Sequence, residues 1–336
     1  TIWIVVGVIF AGAVQDMVIL FVSMRRDGRS LGQMARDEVG VVGGIAALIA
    51  VFAIMIILLA VLALVVVNAL AKSPWGTFSI AMTIPIALFM GFYLRIFRPG
   101  RVIETTLIGV ALLLGAIAAG GWVSESSWAG AFTLEPTTLV LFLIGYGFLA
   151  SVLPVWMLLA PRDYLSTFMK VGTITLLAIG VIIAAPDLQT DAITKFAGNG
   201  LGPVFSGSLF PFVFIIIACG ALSGFHSLIA SGTTPKMIQK ESQIRLVGYG
   251  AMLMESFVAV MALIAACVLD PGLYYAMNAP AGLLGSTAQS ASAAVANLGF
   301  SITPADLNAA AAAVHEQSLI ARTGGAPTLA VGMSQI

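Results

Sequence analysis

Residues 219–236 read CGALSGFHSLIASGTTPK, and they gather most of the polar chemistry of a very apolar chain. His226 can gain or lose a proton under mild conditions. Ser223 and Gly224 let another group approach the backbone closely. Ser231, Thr233 and Thr234 offer hydroxyls. Thr234-Pro235 reads as a helix N-cap followed by the first helical residue, so the amides at 235–237 would face a break and suit an anion such as a carboxylate. Two acids complete the set. Asp16, next to Gln15, is expected about 9 Å inside the cytoplasmic end of an apolar helix, and Glu255 about 13 Å deep in another. An ionisable group at that depth is costly and is usually functional. Each residue also has an ordinary reading: Asp16 as a helix-packing carboxylate, His226 as a wetted interfacial ring. Glu255 is too short and too deep to reach water easily. The expectation is that Ser223, Gly224, Ser231, Thr233 and Thr234 bind substrate, while Asp16, His226 and Glu255 carry a proton.

These residues need a membrane to hold them. The chain has 336 residues, 60% hydrophobic and 9% charged, where a soluble domain is usually about a quarter charged. Its 15 basic and 15 acidic residues balance, which argues against a nucleic-acid partner. Cys219 and Cys267 form neither a disulfide framework nor a metal-binding cluster, and no metal or other cofactor is expected.

Eight apolar segments approach spanning length: 2–22, 42–70, 77–97, 102–122, 138–160, 166–185, 209–230 and 246–268. Continuous runs such as IAALIAVFAIMIILLAVLALVVV lack the alternation of a barrel strand. An all-α polytopic helical bundle is therefore expected. The Lys and Arg residues between spans support the count. Alternate sides carry 12 and 3 of them, the richer side being cytoplasmic. Both ends of the chain then lie outside. Pro85 and Pro154 fall within the expected third and fifth spans, where each would kink a helix or free carbonyls at depth. Residues 1–268 form the membrane region. Residues 269–336, rich in Ala, Ser and Gly, read as an extracytoplasmic segment with one or two surface helices, one opening at Thr303-Pro304. The chain begins inside an apolar run, as an internal piece of a longer protein would.

The stretch ACGALSGFHSLIASGTTPKMI (218–238), with GYGAMLMESFVAVMALIAA (248–266), closely resembles the carbon starvation protein A family of bacterial inner-membrane transporters. Further segments follow in family order: AGAVQDMVILFVSMRRDGRSLG (11–32), SPWGTFSIAMTIPIALFMGFYLRIFRPGR (73–101), LPVWMLLAPRDYLSTFMKVG (153–172), DPGLYYAMN (270–278) and RTGGAPTLAVGM (322–333). Only the Ala/Ser-rich region 279–320 departs freely. The resemblance implies a multi-pass protein of the bacterial inner membrane. Its partners would be a small peptide or pyruvate, taken up by proton-coupled secondary transport during carbon starvation, and the lipid bilayer. It also implies kinship with amino acid–polyamine–cation transporters, which are built on inverted repeats with broken helices.

Two other classes remain as alternatives. An intramembrane enzyme would need a nucleophile–base set, and neither His-Glu-x-x-His nor Gly-x-Ser-x-Gly occurs. A membrane sensor or scaffold in the starvation response is the alternative to transport.

Overall fold

A computed structural model of the chain describes residues 1–198, 200–208, 210, 211 and 214–336. Six of its helices are long and apolar enough to cross a membrane: Ile2–Met24, Val41–Leu70, Pro74–Phe97, Val102–Glu125, Leu159–Ala184 and Glu241–Val268. Two shorter apolar helices, Pro136–Val152 and Phe214–Ala230, occupy the fifth and seventh places in the expected order. Residues 209, 212 and 213 of the expected seventh span lie outside the described residues. The protein is a polytopic helical membrane protein.

Contacts between connecting segments agree with the sidedness. Arg25 pairs with Glu241 at 3.0 Å, and the Lys236 side chain lies against Gly28. All four positions fall on the Arg-rich side. On the opposite side, the Ser73 hydroxyl donates to Glu316 at 2.8 Å, the Gln189 amide to the Cys267 carbonyl at 2.8 Å, and the Lys72 amide to the Leu134 carbonyl at 3.2 Å. These contacts join segments far apart in sequence, and each pair falls on a single side.

Span two has 30 residues, about 45 Å at 1.5 Å per residue against a hydrocarbon core of about 30 Å. Its N-terminal end is covered by the helix Leu31–Val39, which opens with a capping box between Ser30 and Gln33 and turns at Gly40, where φ is 91°. The chain folds back so that Gly44 meets Arg36 and Gly32 meets Leu48. Pro85 stays inside its helix, Pro74–Phe92. Pro154 instead follows a helix that has already ended at Val152, so the fifth span stops short of the expected 160. Arg162, expected in a cytoplasmic connection, lies within the span Leu159–Ala184. Its guanidinium donates to Thr83 at 3.2 Å and to the Tyr146 hydroxyl at 2.7 Å, and it stacks over the Tyr146 ring.

Spans one, seven and eight interlock through irregular backbone. Span one contains a π-helical turn at Val8–Gly12, and span eight contains one at Arg245–Gly250. The seventh changes from α at Phe214–Ile216 to a 3-10 turn at Ile217–Gly220, then restarts at Gly224–Ala230. These departures face one another. A Cβ on Gly12 would overlap the Ala221 carbonyl oxygen at the break in span seven, and one on Gly248 would stand 2.7 Å from the Met17 Cα. The Tyr249 hydroxyl donates to the Ile9 carbonyl at 3.1 Å, satisfying a backbone group beside the π turn.

The tail is more structured than expected. Residues 269–336 hold five helices, Pro271–Asn278, Ala281–Leu284, Ala288–Asn297, Pro304–Ala313 and Gly325–Met333, around a core that includes Leu269, Leu273, Met277, Leu284, Val295, Leu307, Leu319 and Val331. Caps set their starts. Asp270 accepts from the Gly272 and Leu273 amides, and Thr303 forms a capping box with Asp306 ahead of Pro304, as that sequence suggested. The large core residues are spread singly along the segment, so none of the five helices carries a membrane-length apolar run. The last helix docks on span eight, with Gly332 directly against the Ala265 carbonyl.

Single cysteines at Lys240 and Asn308, both exposed, in a protein lacking Cys219 and Cys267 should label from opposite faces of the membrane, Lys240→Cys from the cytoplasm. Labelling from one face would overturn the sidedness. Gly12→Val should destabilise the fold by about 1–3 kcal/mol through overpacking, read as a lower melting temperature in detergent. Gly145→Ala, whose added Cβ meets nothing within 4 Å, should not.

Candidate functional site

Three spans meet at one imidazole. His226 Nδ1 lies 2.8 Å from Asp16 Oδ2 on span one, and His226 Nε2 lies 2.6 Å from Glu255 Oε2 on span eight. Asp16 is buried, and Glu255 is the more open end of the chain of contacts. The restart at Gly224 places the ring here, because Ser223 is held by its carbonyl, which accepts from Gln15 Nε2 at 3.0 Å. Gln15 and Asp16 therefore grip span seven from neighbouring positions. The structure thus places His226 between two deep carboxylates rather than at a wet interface. Span one also runs on to Met24, which puts Asp16 eight residues, or about 12 Å, from its end.

Hydrogen counting constrains this arrangement. A neutral imidazole has one N–H and one acceptor nitrogen, and an ionised carboxylate only accepts. Two ionised acids flanking a neutral histidine can share only one bridging hydrogen. Both contacts are satisfied only when the set holds one further proton, either on the ring or on one carboxyl. Removing that proton leaves two acceptors facing each other at hydrogen-bond distance, so one contact must open. Protons on such a cluster belong to the set rather than to a single residue. Asp16 Oδ1 is buried without a protein partner, and an unpaired buried carboxylate oxygen is expensive.

A cavity of about 270 Å³ lies beside the three residues, lined also by Leu20, Ile229, Ala230, Thr234, Val247, Gly248 and Met252. Of the five residues expected to bind substrate, only Thr234 lines it. The Ser231 hydroxyl donates to the Ser227 carbonyl at 2.8 Å and accepts from the Leu31 amide at 3.2 Å. The Thr234 hydroxyl donates to the Ile229 carbonyl at 2.7 Å. Both satisfy the carbonyls left at the end of the preceding helix. Ser223 is buried behind the ring, while Gly224 and Thr233 lie outside the lining. The expected helix start is also shorter than its signal. Thr233, not Thr234, is the N-cap, and the helix is the single turn Thr234–Met237, too short for an appreciable dipole. The anion site expected at 235–237 is therefore not built.

Sequence reasoning passed over Gln15 as a binding partner, and over Tyr249, Gly248 and Met252. Gly248 and Gly250 were visible as small residues flanking a tyrosine at the mouth of an apolar run. A π turn, however, leaves no mark in hydropathy. Among the described residues no three His, Cys, Asp or Glu side chains converge as metal ligands; the imidazole keeps the two acids apart.

Comparison with known proteins places this geometry in a family. The family described as "Carbon starvation protein CstA" matches residues 1–336. The chain is 62% identical over 340 residues to the "Peptide transporter CstA" of Mycobacterium tuberculosis strain H37Rv, covering 100% of this chain and 45% of that protein. It is 58% identical over 341 residues to the "Peptide transporter CstA" of Escherichia coli K12, covering 100% and 48%. It is 50% identical over 359 residues to the "Pyruvate/proton symporter BtsT" of the same organism, covering 100% and 50%. The chain thus spans about half the length of these curated relatives. No solved structure matches it. With its whole length matched and half or more of its residues shared with each of these relatives, the chain belongs to the carbon starvation protein CstA family.

Proposed function

We propose that this chain forms the proton-handling part of a secondary transporter of the bacterial inner membrane, importing a small carboxylate-bearing nutrient, a peptide or pyruvate, during carbon starvation. The observation that carries this reading is the imidazole bridging two membrane-embedded carboxylates from different spans. In the protonated set, His226 ties span one to span eight through span seven. Loss of the proton forces one tie open, so proton release and helix separation are one event. Taking up the proton lowers the charge of the Asp16–His226–Glu255 set from −2 to −1, which lessens its repulsion of a substrate carboxylate in the adjacent cavity. Substrate and proton therefore stabilise each other's binding, which is the thermodynamic condition for symport. The names of the relatives support both cargo classes and the coupling ion. No covalent step is required of any residue, so the reading is a carrier rather than an enzyme.

The test is uptake into proteoliposomes containing the purified full chain, with lumenal pH recorded. Pyruvate and a dipeptide are offered separately, with and without an imposed pH gradient. Uptake with lumenal acidification is expected; uptake indifferent to the gradient would overturn proton coupling. Glu255→Gln and Asp16→Asn should each cut gradient-driven uptake by about 100-fold, the scale of losing one proton-transfer group, while counterflow exchange of substrate persists. Raising the outer pH should slow the wild type by emptying the cluster of its extra proton. The Glu255→Gln protein, which cannot take part in that titration, should show a flattened profile.

A further inference from the structure

A second cavity, of about 370 Å³, lies at the outer face where the tail meets the ends of spans two and three. Its walls are largely apolar, with Trp75, Ile117, Leu319 and Val331 among them. One edge is not. Arg322 pairs with Glu316 at 2.6 Å, and their side chains are only 13% and 21% exposed. Arg322 also donates to the Ala69 carbonyl at 3.1 Å, and Glu316 accepts from the Ser73 hydroxyl at 2.8 Å.

This pair is unsaturated. A guanidinium has five N–H donors and a carboxylate about four acceptor sites; these bonds use two on each side. Both residues line the cavity. A second, independent feature lies in the same wall. Ser79 Oγ is buried with no hydrogen-bond partner, although buried hydroxyls are nearly always bonded. An apolar chamber with one anion and one cation at its edge is complementary to a molecule carrying an ammonium, a carboxylate and apolar side chains.

The geometry points to an outward-facing binding site for a short zwitterionic peptide, with its ammonium at Glu316, its carboxylate at Arg322 and its apolar side chain against Trp75 and Leu319. It rests on the transport reading only for its place on the uptake side. A monoanion such as pyruvate would meet Arg322 but leave Glu316 facing it, so the site selects peptide over pyruvate.

The experiment is equilibrium binding to the purified full chain in detergent, without any gradient. The probes are L-alanyl-L-leucine, its N-acetyl form, its C-terminal amide, and pyruvate. The free dipeptide should bind saturably, and each blocked form and pyruvate at least about tenfold more weakly. Glu316→Gln should weaken the free dipeptide about tenfold and leave the acetylated form unchanged. Ala330→Phe narrows the cavity without touching the ion pair, and should abolish binding while preserving the melting temperature. Equal affinity for free and acetylated peptide, no saturable binding, or full binding by Ala330→Phe would each overturn the site. Asp16→Asn protein should retain this binding even when uptake is lost. Binding without proton-driven uptake would fault the transport reading alone, and uptake of pyruvate without dipeptide binding would fault this site alone.

Discussion

The arrangement of spans one, seven and eight depends on a hydrogen that two acids and a histidine must share. In water such a triad would be a minor matter. Within a bilayer each uncompensated charge is costly, and the Asp16–His226–Glu255 line is the point where three helices are pinned. The packing around it admits little slack. Gly12 sits on the Ala221 carbonyl and Gly248 on the backbone of Met17, so helices close enough to share the proton are also too close for side chains between them.

Irregular backbone collects at the same place. The π turns at Val8–Gly12 and Arg245–Gly250 and the 3-10 segment at Ile217–Gly220 all lie on the three pinned spans. Non-helical backbone survives at membrane depth only where protein buries it or a cavity accepts it. Here both apply. Tyr249 and Gln15 supply hydrogen bonds from side chains, and the cavity beside Glu255 opens next to the altered turns. A helix end whose carbonyls are bonded by Ser231 and Thr234 can stop inside the bundle without an energetic debt.

Much of this was legible in the chain. Apolar run length gave the helical architecture, because it follows from the thickness of the bilayer itself. Asp16, His226 and Glu255 stood out singly, as rare ionisable residues in apolar surroundings, but their convergence was not readable, since their separations of 210 and 29 positions carry no period. The hydroxyls of Ser231 and Thr234 are engaged by helix-end carbonyls. Sequence shows a donor's presence, and only coordinates show that neighbouring carbonyls already use it. Arg162 is the opposite case, because a loop-like Pro-Arg-Asp reads as surface until Thr83 and Tyr146 are seen to hold it. The tail's core residues are scattered singly among alanines and polar residues, so no long apolar run announced them.

The docking of Gly332 on the Ala265 carbonyl gives span eight a rigid outboard arm. Ala265 and Glu255 are ten residues apart on one continuous helix, about 15 Å along its axis. With no side chain at Gly332 to absorb play, a tilt of that helix about the proton site swings the tail as a lever swings about its fulcrum. A small rotation at the buried pivot becomes a larger excursion at the tail, and Gly324, the residue that caps the last helix, lies on that arm. A spectroscopic label on the tail would therefore read the pivot from a distance.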